Sequence, residues 1–378
     1  MCGGLLGSSA IAKSSPVQTG APAKNYAVLI SSRTEAHLTP LTPPIPQEPE
    51  LLPQTETAWR VDLQGPPEAP PPYRPSRRSL VIACVLFLLT LCTSLAAGTQ
   101  FAAAFAKDEA ASVDEWVSAL ELFYKHPAGL AAGIPFALTL LTILLAHEFG
   151  HFFACRHHHI RASYPFFIPF PSLIGTFGAF ILMRSAIRTR RALFDVGASG
   201  PLVGFVLAIP ALLYGVAHAK IVAAVADPQQ ASYLFGTPLA LRCFAALFHP
   251  GVPATHLLLH PVGRAAWVGL FATALNLLPA GQLDGGHILR CVGPRLHRFA
   301  SLGLPVVLFA LGMIVNWWGW YVFGAILLAI RFLRVPPIYD PEPLDSTRRL
   351  CAFLALVIFV LTFMAAPITP TGVGLDAN

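Results

Sequence analysis

The sequence predicts an all-α polytopic membrane protein of about six to seven transmembrane helices, with a re-entrant or extended loop after its second span. Three observations predict this. Mean hydropathy is +0.62. Only 12% of the 378 residues are charged, where soluble domains carry about 25%. The basic residues cluster between long apolar runs, so the net charge of +6 reads as membrane orientation and gives no reason to expect a nucleic-acid partner.

Residues 1–76 form a separate zone. Fourteen of the chain's 35 prolines fall there, with PPIPQEPE and PPEAPPPYRP as the densest runs. Such composition favours polyproline II or disorder and cannot bury a core. A cytoplasmic tail is expected. Residues 77–126 hold the first span, Ser79–Gly98, entered from Arg77 and Arg78, and then an amphipathic, mildly acidic external loop. The seven cysteines are scattered without a CxxC pair, which argues against a disulfide framework or a cysteine-bound metal.

Residues 127–290 are the expected core. The second span, about Pro127–Phe153, carries LLTILLAHEFGH near the end where basic residues follow. His147 and His151 stand four apart, so on a helix both imidazoles face one ion. Glu148 lies beside that ion, where a general base can act on a metal-bound water. Two imidazoles and a carboxylate at membrane depth are expensive, which makes them a functional site by default. The histidines at 157–159 are neighbours on the chain and cannot share a helix face, so they read as a polar cluster at the membrane edge.

Ser163–Met183 is apolar but broken by three prolines and two glycines. Backbone this irregular survives at membrane depth only inside protein or along a cavity. Its stretch Gly175, Thr176, Phe177, Gly178 can form an extended edge that takes a peptide by strand addition. The third span, Phe194–His218, carries Gly197, Ser199, Gly200 and Gly204. Small residues of this kind suit close helix packing beside the site. Leu239–Phe248 is short and reads as re-entrant or interfacial. His249, His256 and His260 read as structural or surface residues. Gly263–Leu278 is the fourth main span and ends near Asn276, Pro279 and Asp284. Residues 291–378 hold the remaining spans: Phe299–Val315, Trp318–Phe332 (two helices or one kinked helix) and Leu350–Ala366.

A catalytic zinc has three protein ligands and one open position. His147 and His151 supply two. Loop charges bring Asp284 to the same depth and make it the candidate third ligand, with Gly285 and Gly286 allowing the backbone to turn the carboxylate inward. Other divalent metals suit the same donor set.

HEFGH on a membrane helix together with NLLPAGQLDGG resembles the site-2 protease family of intramembrane zinc metalloproteases. The GTFGAF and GASGPLVGF stretches resemble its cyanobacterial and chloroplast-like branch, without a PDZ domain. The similarity covers about Pro127–Ile288. It implies one zinc ion held by His147, His151 and Asp284. It implies Glu148 as the base, and Asn276 as a group that holds substrate or oxyanion. It implies cleavage of a transmembrane protein substrate within or near its membrane segment, in the lipid bilayer. The expected setting is a bacterial plasma membrane, with the N-terminus and the site opening on the cytoplasmic side. A non-catalytic membrane scaffold of the same fold and a metal-dependent transporter are the competing classes. A soluble zincin is excluded by hydropathy.

Overall fold

The computed structural model describes residues 76–109, 127–222, 232–331 and 342–371. The proline-rich tail and the greater part of the expected external loop lie outside the described residues. Helix α1 spans Arg77–Lys107, longer than the expected span, with the Ser76 side chain accepting from the Ser79 amide at its start. A 3-10 turn over Pro127–Gly133 leads into α2, Ile134–His157. The turn is seated on α1 because both chains lack a side chain there. A Cβ on Gly98 would lie 2.5 Å from the Gly133 carbonyl oxygen.

After α2 the chain forms an antiparallel hairpin, β1 (Phe166–Pro169) and β2 (Thr176–Phe180), with an irregularity between Phe167 and Pro169. The extended edge expected in this stretch is β2. Helix α3 (Arg190–Ala217) follows, then β3 (Lys220–Ile221), β4 (Ser232–Phe235) and α4 (Leu239–Phe248). Next come β5 (Leu257–Leu258), α5 (Pro261–Asn276), α6 (Asp284–Val292) and α7 (Pro294–Val315). The chain continues through α8 (Gly319–Arg331), α9 (Ser346–Thr362) and β6 (Ile368–Thr371).

One expectation is corrected. The fold is mostly helical but not all-α: among the described residues β1–β2, β3–β5 and β4–β6 are three two-stranded antiparallel sheets. The last two pair segments far apart in sequence, each too short for an alternation to show. Among the described residues four helices are long and apolar enough to cross a membrane: α1, the 3-10 turn with α2, α3 and α7. The apolar helices α5, α8 and α9 have 16, 13 and 17 residues, short of the roughly 20 that a ~30 Å hydrocarbon layer needs. The region expected as two helices or one kinked helix is two, parted at Asn316 in the left-handed conformation (φ 49°).

Helix α5 is the hub. Residues 263–271 are buried without a break. It crosses α3 where Gly215 meets Gly263 and crosses α2 where Gly269 meets the Ile143 side chain. Phe136, Leu140, Trp267 and Leu270 fill the space between. The outer faces of α1 and α7 are instead apolar and exposed, as at Leu88, Val306 and Ile314. A soluble helix would turn its polar side outward. These faces fit hydrocarbon, and the protein is an integral membrane protein.

Candidate metal centre

Helix α2 has no polar stripe. Before its basic last turn, its ionisable residues are His147, Glu148 and His151, all buried. His147 Nε2 and His151 Nε2 are 3.2 Å apart. Asp284, the first residue of α6, brings Oδ2 to 3.3 Å from His147 Nε2 and 3.2 Å from His151 Nε2. Among the described residues these three form the group able to hold a metal ion. Four ligands placed tetrahedrally at zinc's bond lengths of about 2.0–2.1 Å stand roughly 3.3–3.4 Å from one another. The three donors therefore have the spacing of one face of that tetrahedron, leaving the fourth corner open. Two nitrogens and one oxygen suit zinc chemically, so the residues fit the ion.

The backbone aims these donors. His151 Nδ1 lies 2.7 Å from the Val196 carbonyl oxygen of α3. Donation to that carbonyl fixes the proton on Nδ1 and leaves the Nε2 lone pair for a ligand. The α3 glycines make the approach possible. A Cβ on Gly204 would sit 3.1 Å from His147 Nδ1, one on Gly197 would sit 2.8 Å from the His287 Cβ, and one on Gly200 would overlap the His151 ring. The small-residue face expected to pack beside the site does so.

Asp284 reaches the centre through a tight reversal between α5 and α6. The residue that bends there is Gly281 (φ 59°). Gly285 and Gly286, expected to supply the bend, contribute close approach instead. Their Cβ atoms would collide with the carbonyls of Leu277 and Leu278, and of Ala280 and Gly281.

Asn276, the last residue of α5, places Nδ2 3.1 Å from His147 Nε2. A cavity of about 160 Å³ is lined by His147, Glu148 and Asn276, and on its other side by Phe177, Gly178 and Ala179 of β2. Phe177 is exposed and stacks on Phe170 at 3.9 Å. Gly175 and Thr176 do other work. The Gly175 carbonyl accepts from Thr93 Oγ1 at 2.6 Å, which ties the hairpin to α1. Thr176 Oγ1 donates to the Ile168 carbonyl and accepts from the Gly178 amide, closing the hairpin on itself. The part of the expected edge that faces the cavity is thus Phe177–Gly178, extended by Ala179.

The other histidines lie outside this group. His158 pairs with Asp195 at 2.8 Å. His249 lies 2.8 Å from the Val216 carbonyl. His260 caps α5 by accepting from the Val262 amide. Two contributors were not visible in the sequence: the Val196 carbonyl, since any residue offers one, and Phe323 of α8, which lines the cavity from a distant helix.

Apolar spanning helices around a buried HExxH turn, completed by an aspartate from a second helix, define a membrane-embedded protein with a metallopeptidase-type centre. Residues 135–315 match Peptidase family M50, and the chain carries a domain of that family, as the resemblance to site-2 proteases led one to expect. It is homologous to the probable zinc metalloprotease EGY1, chloroplastic, of Arabidopsis thaliana: 31% identical over 303 residues, 75% of this chain and 53% of that protein. The rice (Oryza sativa subsp. japonica) protein of the same description is 32% identical over 62% of this chain and 41% of its own length. The probable zinc metalloprotease EGY2, chloroplastic, of Arabidopsis is 29% identical over 64% of this chain and 44% of its own length. The chain thus spans about half the length of the curated relatives it matches. No solved structure matches it.

Proposed function

We propose that this chain is an intramembrane zinc metalloprotease that hydrolyses peptide bonds within or near the transmembrane segments of membrane-protein substrates, as in regulated intramembrane proteolysis. The observation that carries this is the triangle of His147 Nε2, His151 Nε2 and Asp284 Oδ2 with edges of 3.2–3.3 Å, beside Glu148 and the β2 edge on one cavity.

Zinc held by His147, His151 and Asp284 would supply Lewis acidity and a water acidic enough to attack near neutral pH. Glu148 takes the proton of the attacking water and passes it to the departing amide nitrogen. Asn276 donates from its side-chain amide to the oxygen that becomes negative as the carbonyl is attacked. A helical substrate must unwind first, because its carbonyls are bonded within the helix. The edge at Phe177–Gly178 offers the unwound segment main-chain partners with little demand on its sequence. The Thr93–Gly175 bond holds that edge against α1, and Thr176 keeps the hairpin closed. The chloroplastic relatives move the expected location from a bacterial plasma membrane toward a chloroplast membrane. The N-terminus and the opening of the site are assigned to the side carrying the basic clusters.

The test compares wild type with Glu148→Gln in liposomes on single-span substrates, at equal zinc content. Cleavage by wild type alone supports the reading. Cleavage by the variant at the wild-type rate removes Glu148 as the base, and zinc binding without any cleavage across the panel supports the scaffold class instead.

A further inference from the structure

A second cavity, of about 500 Å³, opens at the other end of α5, walled by β4, α4, the turn before α5 and the chain after α9. Its floor holds Arg264, which is 7% exposed. The guanidinium carbon lies 4.0 Å from the Phe235 ring centroid and 5.8 Å from that of Phe101. Those rings offer its N–H groups no hydrogen-bond acceptor in their plane. Among the described residues no carboxylate pairs with Arg264. Among the described residues no Asp or Glu lines the cavity. A guanidinium carries five N–H donors in a planar fork, and a buried charge without a counter-ion is costly. The rim adds a second cation, the exposed Arg242, whose Nε donates to the Thr237 carbonyl and hydroxyl at 3.1 Å. Thr237, Thr255 and Thr369 also line it. Two cations, threonine donors and no anion make a receptor for an oxyanion.

Placement favours an anion carried on a lipid. Arg264 and Asn276 are twelve residues apart on α5, about 18 Å along a helix, so this cavity stands well away from the metal centre along the membrane depth. The neighbouring α4 exposes Leu239, Leu247 and Phe248, apolar side chains suited to the acyl region beside a headgroup. We propose that this cavity binds the phosphate of a lipid headgroup, held bidentately by Arg264 and screened at the rim by Arg242. The site is independent of the peptidase reading.

The full chain in detergent is titrated with dihexanoylphosphatidylglycerol below its micelle concentration, and separately with inorganic phosphate, following thermal stability and the bound mass by native mass spectrometry. Saturable binding of one lipid, weakened at least tenfold in Arg264→Gln and abolished in Thr255→Trp, is expected. Thr255 is an exposed rim residue, so that variant fills the cavity mouth without touching the core. Inorganic phosphate should compete at the same site more weakly. Binding of inorganic phosphate as tightly as the lipid overturns the lipid as source. No binding of either probe, or lipid binding unchanged in both variants, overturns the site.

Discussion

Gly200→Ala tests how the metal centre is positioned. The perturbation adds one methyl group, on α3 rather than on any ligand. Its Cβ would stand 2.5 Å from Cε1 and 2.6 Å from Cδ2 of the His151 ring, with Nε2 nearer still. Carbon contacts are comfortable at about 3.5–4.0 Å, so ring and helix must part by roughly 1 Å. Either the imidazole rotates or α2 and α3 separate. Both stretch the 2.7 Å bond from Nδ1 to the Val196 carbonyl and break a triangle whose edges agree to within 0.1 Å. Disturbing a hydrogen bond that orients a metal-bound histidine costs about 10–100-fold in metal affinity, equivalent to roughly 1.4–2.7 kcal/mol. Overpacking adds about 1–3 kcal/mol of instability. The assay is competition for zinc by a fluorescent chelator on purified protein, with Gly303→Ala as control, since a Cβ there meets nothing within 4 Å. Gly200→Ala should lose zinc at least tenfold more readily, and Gly303→Ala should match wild type. If Gly200→Ala holds zinc as tightly as wild type, close approach of α3 is not what places His151.

Four further outcomes are expected. Gly178→Val should slow cleavage of a single-span substrate about tenfold with zinc retained, because Gly178 lines the cavity with open space at its Cβ and a φ of 103° that valine resists; undiminished cleavage would remove β2 as the substrate edge. Gly175→Val should chiefly lower the melting temperature, since its Cβ meets the α1 backbone at Thr93 and Ser94. Arg348→Ala should destabilise by about 1–3 kcal/mol. It strips Asp195 of contacts at 2.6 and 2.8 Å that join α9 to α3, and a double-mutant cycle with Asp195→Asn should show the two changes to be non-additive. Asp345 caps α9 by accepting from the Arg348 amide, which with the Arg348 guanidinium holds its carboxyl below the ordinary range. A depressed value contributes stability above the unfolded carboxyl value of about 3.9; that contribution is lost as pH falls through the folded value. The melting-temperature gap between wild type and Asp345→Asn should therefore be present at neutral pH and vanish in strong acid.

Legibility in the sequence followed the range of the interactions. The i, i+4 histidines were readable because a helix fixes their common face within one turn. Asp284 was readable only through bookkeeping of basic loops that brought two helix ends to one depth. The break at Asn316 and the hairpin at 166–180 were legible as interruptions of apolar runs, since glycine and proline punctuate locally. The β4–β6 pairing was not: Ser232–Phe235 meets Ile368–Thr371 across more than a hundred residues, and four-residue strands carry no period. Gly281 as the bend, in place of Gly285 and Gly286, was equally hidden, because adjacent glycines look alike until one of them shows a positive φ. Arg264 was hidden by its neighbours, which read as one more stretch of an apolar span.

The way the helices meet explains why so slight a chemical signal suffices. In hydrocarbon, apolar faces gain nothing by leaving lipid for one another, so association rests on close packing and on the few polar groups that need partners. Here Gly150 of α2 packs against the Ser199–Gly200 backbone of α3, Gly215 of α3 against Gly263 of α5, and Gly269 of α5 against α2. These three crossings close a ring of helices around the turn that carries His147 and His151. The polar cost of that turn is met inside the ring by Asp284, Asn276 and the Val196 carbonyl. Arg264, at the far end of the same central helix, meets aromatic rings and no carboxylate among the described residues. By the same reasoning an inward-facing charge with no counter-ion among the described residues points to the lipid phosphate proposed above.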